Sequence, residues 1–469
     1  MLIALLFIAI PLCMRALSQN TANQFITSLI KNDDITYFID KSEITLSNRL
    51  GIKYQGVKNK FLISYDIDES IKKKIRKEEL SYQIEIKKLS GNYSKIIFTI
   101  PEIDYQKDFF FKSEKYISPL YFYTTDWSRI TSKHFIFVIN DNTIFNEYCV
   151  ENMERFFPKA AKVLNLSKKQ LKKIEKQKIL YYLCKDQEEI KKITGYKARG
   201  IFSVAYDAVT TTFNAHYHEL MHLLINYKIG NLPLYTQPFL QEGFAVAIGG
   251  RGGKEPKIIH NLGHFLYKSK FINYTDLLSR DHFYQLDASL SYPASGLYNY
   301  FLIGKIGIDA YIKLYLKYSG NKDDVDNMKI DTADLPPIFS WNAFLNNYQT
   351  FLNFINPSQK ANLIYQESSN RIYQDDNRYY FMIKDTLLIK NSAFKKKYKS
   401  KKFEEIFKHK KYNGEKYLIV ASANEISIYN LFTNNLIESY VSSFSSDNQS
   451  VLLKDGFYIF SVKKTFMLE

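Results

Sequence analysis

The sequence predicts an α+β protein, with β-rich ends around a middle region in which strands alternate with helices. Three observations predict it. Short β-branched and aromatic runs, separated by Asn, Asp, Gly and Lys turns, fill both ends. Between them, continuous apolar runs of strand length alternate with stretches of helical period. One of those helical stretches, Asn214–His222, spaces His218 and His222 one turn apart.

At 469 residues the chain is long enough for two or three domains and a sizeable core. With 46% hydrophobic and 24% charged residues, disorder is excluded as the default. The net charge is +16, but the basic runs Lys168–Lys178 and Lys395–Lys411 alternate with helix-type apolar residues. They lack the aromatic and glycine interleaving of a nucleic-acid surface, so no nucleic-acid partner is expected. Attraction to an acidic polymer or cell surface would be unspecific.

Met1–Met14 is apolar and too short to span a bilayer, and Ala16-Leu17-Ser18 follows as a cleavage pattern before Gln19. Residues 1–18 therefore read as a signal peptide, with an uncleaved anchor as the other reading. No later stretch is apolar over a membrane-spanning length, so the mature chain is expected to be exported: periplasmic, cell-surface or secreted. Outside that segment, Cys149 and Cys184 either form a disulfide or are two free thiols. No pattern specifies an oligomer.

In residues 19–130, Ile35–Ile39, Phe61–Ile67, Tyr82–Ile86 and Lys95–Ile100 read as strands of a β-rich domain. That domain holds no His, which suits positioning or partner binding. The middle domain, 131–357, begins with the strand Phe135–Ile139 and a helical run from Thr143 to Leu164 that contains Pro158. Ile179–Leu183 is a second strand; Asp186 and Glu189 form a capping box for a helix ending near Gly195. Arg199–Phe213 reads as a third, longer strand. The histidine helix follows, with Asn214 or Thr212 as cap and Gly230 as its end.

Pro238–Ile248 is the next helix, and Pro238 suits its first turn. Gly249-Gly250-Arg251-Gly252-Gly253 is a loop without the pattern of a phosphate loop. His260 and His264 are again four apart but have no evident third ligand, so they read as packing. Thr275–Leu278, Pro293–Ile303, Gly307–Tyr318 and Asn342–Phe354 read as helices. In the carboxy-terminal module, 358–469, Tyr417–Ala421, Glu425–Asn430 and Leu436–Val441 read as strands, with Thr433-Asn434-Asn435 as a turn.

The chemistry sits on two helices. Positions i and i+4 lie on one face, so His218 and His222 can share one metal ion. Glu219 stands about 100° further round, within reach of a water on that metal but not placed to ligate it. Two imidazoles rarely complete a site, because zinc usually takes three protein ligands and keeps a position open. Glu242 offers the third: it is the only acid of its helix, set among Phe239, Leu240, Phe244, Ala245 and Val246. A carboxylate in such company needs a partner.

These residues resemble the gluzincin metallopeptidases, the thermolysin-like and aminopeptidase-N-like enzymes. His218-Glu219-x-x-His222 matches their H-E-x-x-H, and Glu242-Gly243-Phe244-Ala245 matches their E-G-x-A after nineteen intervening residues. The resemblance covers roughly Lys133–Gly320. It implies a zincin-like domain with a mixed-sheet upper lobe and a helical lower lobe. It also implies Zn²⁺ held by His218, His222 and Glu242, with Glu219 as general base. Tyr292, in Tyr292-Pro293-Ala294-Ser295-Gly296, is the candidate for the family's transition-state tyrosine, with one extra residue before the Gly. The edge strand nearest the cleft would pair with an extended peptide, and Arg199–Phe213 is the candidate.

Two departures matter. Thermolysin-like enzymes carry an Asp four residues beyond the Glu ligand, where this chain has Val246. The aminopeptidase signature G-x-M-E-N is absent, which favours an endopeptidase acting on peptide or protein substrates. The other reading is a non-catalytic surface or periplasmic binding protein with a degenerate or structural metal site. Such a site has no use for Glu219.

Overall fold

The computed structural model describes residues 17–348, apart from 58, 146–147, 253–255 and 269, and nine strands between 362 and 467. The expected signal peptide lies outside the described residues up to residue 16, as does the basic run Lys395–Lys411.

Helix α1 (Gln19–Lys31) is capped by Ser18, which accepts the Thr21 N–H, and closed by Asn32 in a left-handed conformation. Its Ala22, Phe25, Ile26, Leu29 and Ile30 recur at helical spacing and are buried. Helix α2 (Lys41–Ser47), the short strand β1 (Lys53–Tyr54) and helix α3 (Glu69–Arg76) follow. Strands β2 (Gln83–Lys88), β3 (Tyr93–Ile100), β4 (Tyr105–Lys112) and β5 (Lys115–Ile117) then form an antiparallel meander. Alternate residues of β3 (Ile96, Phe98 and Ile100) are buried. From β4 and β5, Phe109, Phe111 and Tyr116 close on Phe25, with ring centroids 5.5, 5.1 and 5.6 Å away.

The strands expected at Tyr82–Ile86 and Lys95–Ile100 are thus β2 and β3. Those expected at Ile35–Ile39 and Phe61–Ile67 are not strands: each contains a 3₁₀ turn, Thr36–Phe38 and Lys60–Leu62. This segment is mixed rather than β-rich. Its β-branched content favours strands, but the apolar residues of α1 recur at helical spacing.

After α4 (Pro119–Thr124) comes a five-stranded sheet: β6 (Ser128–Thr131), β7 (Phe135–Ile139), β8 (Ile179–Leu183), β9 (Gly200–Ser203) and β10 (Ala208–Thr211), ordered β6-β7-β8-β10-β9. Strands β7, β8 and β10 are parallel, and β6 and β9 run antiparallel at the two edges. The first crossover carries α5 (Tyr148–Val163) and α6 (Lys168–Gln177). The second carries α7 (Gln187–Thr194), capped by Asp186 and ended by Gly195. The Glu189 carboxylate accepts the Lys185 N–H, so the reciprocal half of the expected capping box is displaced by one residue. Every residue of β8 is buried, as helices on both faces require. Arg199–Phe213, expected as one long strand, is instead the hairpin β9–β10, turned at residues 204–207, with Asp207 at φ 52°.

Helix α8 (Tyr217–Ile229) follows β10 and packs on the face formed by Ile179, Tyr181 and Leu183. Leu180 and Tyr182 face a separate core with Ile190 and Ile193. Strand β11 (Asn231–Leu232) then pairs in parallel with β1, tying the amino-terminal segment to the end of α8.

A helical region completes the core: α9 (Pro238–Gly249), α10 (Pro256–Lys268), α11 (Arg280–Gln285), α12 (Ala288–Ile306), α13 (Ile308–Lys317), α14 (Lys322–Asn327) and α15 (Ile338–Asn347). Asn299 of α12 donates to Phe239 O at 2.7 Å and accepts from the Tyr311 hydroxyl at 2.7 Å, joining α9, α12 and α13. Helix α12 starts five residues before the expected Pro293, and α15 starts four before the expected Asn342. Thr275–Leu278 is a 3₁₀ turn at Tyr274–Leu277.

The strands beyond residue 362 form sheets of four, three and two. Tyr417–Ala421 and Glu425–Asn430 coincide with expectation, and the next runs Asn435–Val441. Cys149 and Cys184 are both buried, and among the described residues neither is in a disulfide. Among the described residues no helix is long and apolar enough to cross a membrane. The architecture is α+β.

Candidate metal centre

Ten of the thirteen residues of helix α8 are buried, among them Leu220, Met221, Leu223, Leu224 and Ile225. It is held from both directions, by the sheet and by α9. Asn214 does not cap it: its amide donates to Ile144 O at 3.0 Å, and His216 holds the cap position without a side-chain capping bond. Gly230 ends the helix as expected, at φ 78°.

The two helices that carry the candidate ligands meet where α9 ends. A Cβ on Gly249 would lie 2.6 Å from Tyr217 O and 2.8 Å from His218 N, so only glycine allows this approach. The contact brings Glu242, two turns earlier on α9, beside both histidines. Its Oε2 is 3.1 Å from His218 Nε2 and 3.4 Å from His222 Nε2, and the two Nε2 atoms are 3.2 Å apart. Ligands held about 2.0–2.2 Å from one tetrahedral ion stand about 3.3–3.6 Å from each other, close to this triangle. The donor set of two imidazoles and a carboxylate also suits zinc. Among the described residues no other three His, Cys, Asp or Glu side chains converge in this way.

His218 is aimed by a group the sequence reading did not find. Its Nδ1 is 3.0 Å from Gly250 O and donates to that carbonyl, which leaves the Nε2 lone pair for the centre. Gly250 takes φ 73° and ψ −158°, a conformation open to glycine without strain. The backbone carbonyl thereby orients the imidazole, while Val246 is buried in the core. The Gly-rich stretch at the end of α9 carries the signal, although the sequence marks it only as a loop.

The charges agree with the geometry. Burial pushes the Glu242 carboxyl up, yet His222 and His218 outweigh it and hold it well below the carboxylate range. Burial lowers His222, and the Glu242 charge more than restores it, leaving it raised. His216, also unassigned from sequence, is pushed well below the ordinary histidine value by burial and then by His218. It is neutral, its Nδ1 lies 2.8 Å from Thr211 Oγ1, and its ring stacks 6.1 Å from that of His218.

Glu219 reaches towards the sheet edge, where its Oε2 accepts the Phe202 N–H of β9 at 2.9 Å. Tyr292 lies inside α12 rather than before it, with its ring 6.4 Å from that of His218 and the Arg251 guanidinium 3.9 Å from its face. The Glu242 charge, then burial, holds its phenol well above the ordinary value against the pull of Arg251, so Tyr292 remains a proton donor. A cleft of about 490 Å³ brings His218, Glu219, His222, Glu242 and Tyr292 together with Phe202 of the edge strand.

His260 and His264 stay outside this site. His260 is buried against Tyr300 and driven down to about 3 by burial, and His264 Nε2 donates to Leu345 O at 2.9 Å. Compared with protein-family models, curated proteins and solved structures, the chain matches none.

Proposed function

We propose that the chain is a zinc-dependent metallopeptidase of the gluzincin type, an exported enzyme with a zincin-like domain, acting within peptide or protein chains. One observation carries the reading: His218, His222 and Glu242 present three donor atoms within 4.8 Å of one another, with Glu219 at the same cleft. Two further features support it. A sheet edge with no strand paired beyond it among the described residues runs along that cleft, and Tyr292 adds a hydrogen-bond donor.

Zinc bound there would supply Lewis acidity and lower the pKa of a water towards about 7. The remaining work belongs to the chain. An extended substrate pairs with β9 as an added strand, which fixes the scissile bond in the cleft. Glu219 takes the proton of the attacking water and delivers it to the leaving amine. The Tyr292 hydroxyl donates to the oxyanion that develops on the carbonyl carbon.

The test is Glu219→Gln, which keeps size and hydrogen bonding but cannot act as base. The variant is expected to retain its metal and to lose about 10²–10⁴-fold in kcat on an unstructured protein substrate. Undiminished cleavage would remove the mechanism and leave the binding-protein reading.

A further inference from the structure

Across the five-stranded sheet from α8 lies a second cavity, of about 320 Å³. Leu180 and Tyr182 of β8 contribute to its wall on the face opposite the metal centre. Ser42, Thr45, Leu46 and Arg49 enter at i, i+3, i+4 and i+7 from α2 and its end, so one helical face supplies them. Tyr121, Thr124 and Thr125 enter from α4 in the same manner. Arg129 of β6 pairs with Val138 of β7, which pairs with Tyr182 of β8. These three share one row and one face of the sheet, so Arg129 and Tyr182 flank the buried Val138.

The lining is cationic without a counter-charge. No carboxylate borders the cavity, and among the described residues Arg49 and Arg129 form no ion pair. Arg49 donates one Nη2 hydrogen to Gln177 O, while its Nε is buried with no partner among the described residues. The aliphatic hydroxyl protons of the lining are committed: Ser42 donates to Asp40 Oδ1, Thr45 to Lys41 O, Thr124 to Leu120 O, and Thr125 to Tyr121 O. The two guanidinium groups therefore supply the remaining charged donors. Burial holds the Arg49 guanidinium below its ordinary value; Tyr182 pulls against this and the Arg129 charge adds to it.

We propose that this cavity binds a small phosphate, inorganic or as a monoester, between the guanidinium groups of Arg49 and Arg129. Planar guanidinium forks match a phosphate oxyanion in shape and charge, and a buried unpartnered N–H is costly until an acceptor arrives. The site is separate from the metal cleft and lies where the amino-terminal segment meets the sheet.

The test is a calorimetric titration of inorganic phosphate into the full chain in a chloride-poor buffer, beside Arg49→Met, Arg129→Gln and Glu242→Ala. One phosphate per chain is expected, with affinity falling about 10–100-fold in each arginine variant and staying within about twofold in Glu242→Ala. Arg129 is on an exposed edge strand, so Arg129→Gln is expected to fold and melt as the parent does without phosphate. Three results would each overturn the proposal: no saturable heat at millimolar phosphate, parental affinity in Arg129→Gln, or loss confined to Glu242→Ala. The last would put the phosphate at the metal centre.

Discussion

At the scale of single residues, the site divides into groups the covalent chain places and groups only the fold places. His218, Glu219 and His222 lie on one helix, so their relation is set by 3.6 residues per turn and was legible from spacing alone. Glu242 was legible for a different reason, as a lone carboxylate in an apolar helix. Gly250 and His216 were not. A backbone carbonyl leaves no mark in a sequence, and His216 acts through a bond to Thr211 that depends on where β10 ends. Tyr292 was singled out by resemblance, and the structure brings it to the same cleft, although inside a helix. Its part in the chemistry can be isolated from binding. Tyr292→Phe keeps the ring under Arg251 and removes the hydroxyl, and is expected to lower kcat about 10²–10³-fold with KM little changed. Steady-state kinetics check this, and an unchanged kcat would move the oxyanion donor elsewhere.

At the scale of elements, the site depends on two contacts that bring distant segments together. The first is the crossing of α8 and α9 at Gly249. Gly249→Ala forces the helices apart at the point that sets the distance from Glu242 to both histidines. A loss of about 10–100-fold in zinc affinity is expected, comparable to losing an orienting partner, and competition with a chromogenic chelator measures it. The second contact holds the β9–β10 turn. The buried Glu43 of α2 accepts from Ser118 N and Oγ, at 3.0 and 2.9 Å, and from the Tyr206 hydroxyl at 3.0 Å. Beside it, Lys60 pairs with Asp207 at 2.7 Å. The amino-terminal segment therefore buttresses the edge strand to which the proposed substrate adds. Sequence reading missed the hairpin because Arg199–Phe213 is rich in strand formers on both sides of the turn. The bend is marked only by Asp207, a residue type that tolerates the left-handed conformation it takes here.

At the scale of the whole molecule, the α+β class and the strands β7 and β8 followed from apolar runs of strand length between helical patterns. The amino-terminal layer was harder, since its helices are short and several strand-like runs are used as turns. That layer also gives the fold a pH dependence. Burial raises the Glu43 carboxyl to about 7, against the lowering effect of its three hydrogen bonds. A folded-state value above the unfolded one means that its stabilising contribution is complete below about 4.5 and is lost as pH rises through about 7. The change is worth up to about 3 kcal/mol. Thermal melts between those limits should show the loss in the parent and a much flatter profile in Glu43→Gln. Identical profiles would mean that Glu43 ionises without cost.

Whether three side chains from two helices form one metal site is decided by metal content. The purified chain and its Glu242→Ala variant, both supplied with zinc and then dialysed, would be compared by elemental mass spectrometry. About one zinc per chain is expected in the parent, with loss of it in the variant. No zinc in either, or equal zinc in both, would contradict the three-ligand centre and with it the proposed peptidase.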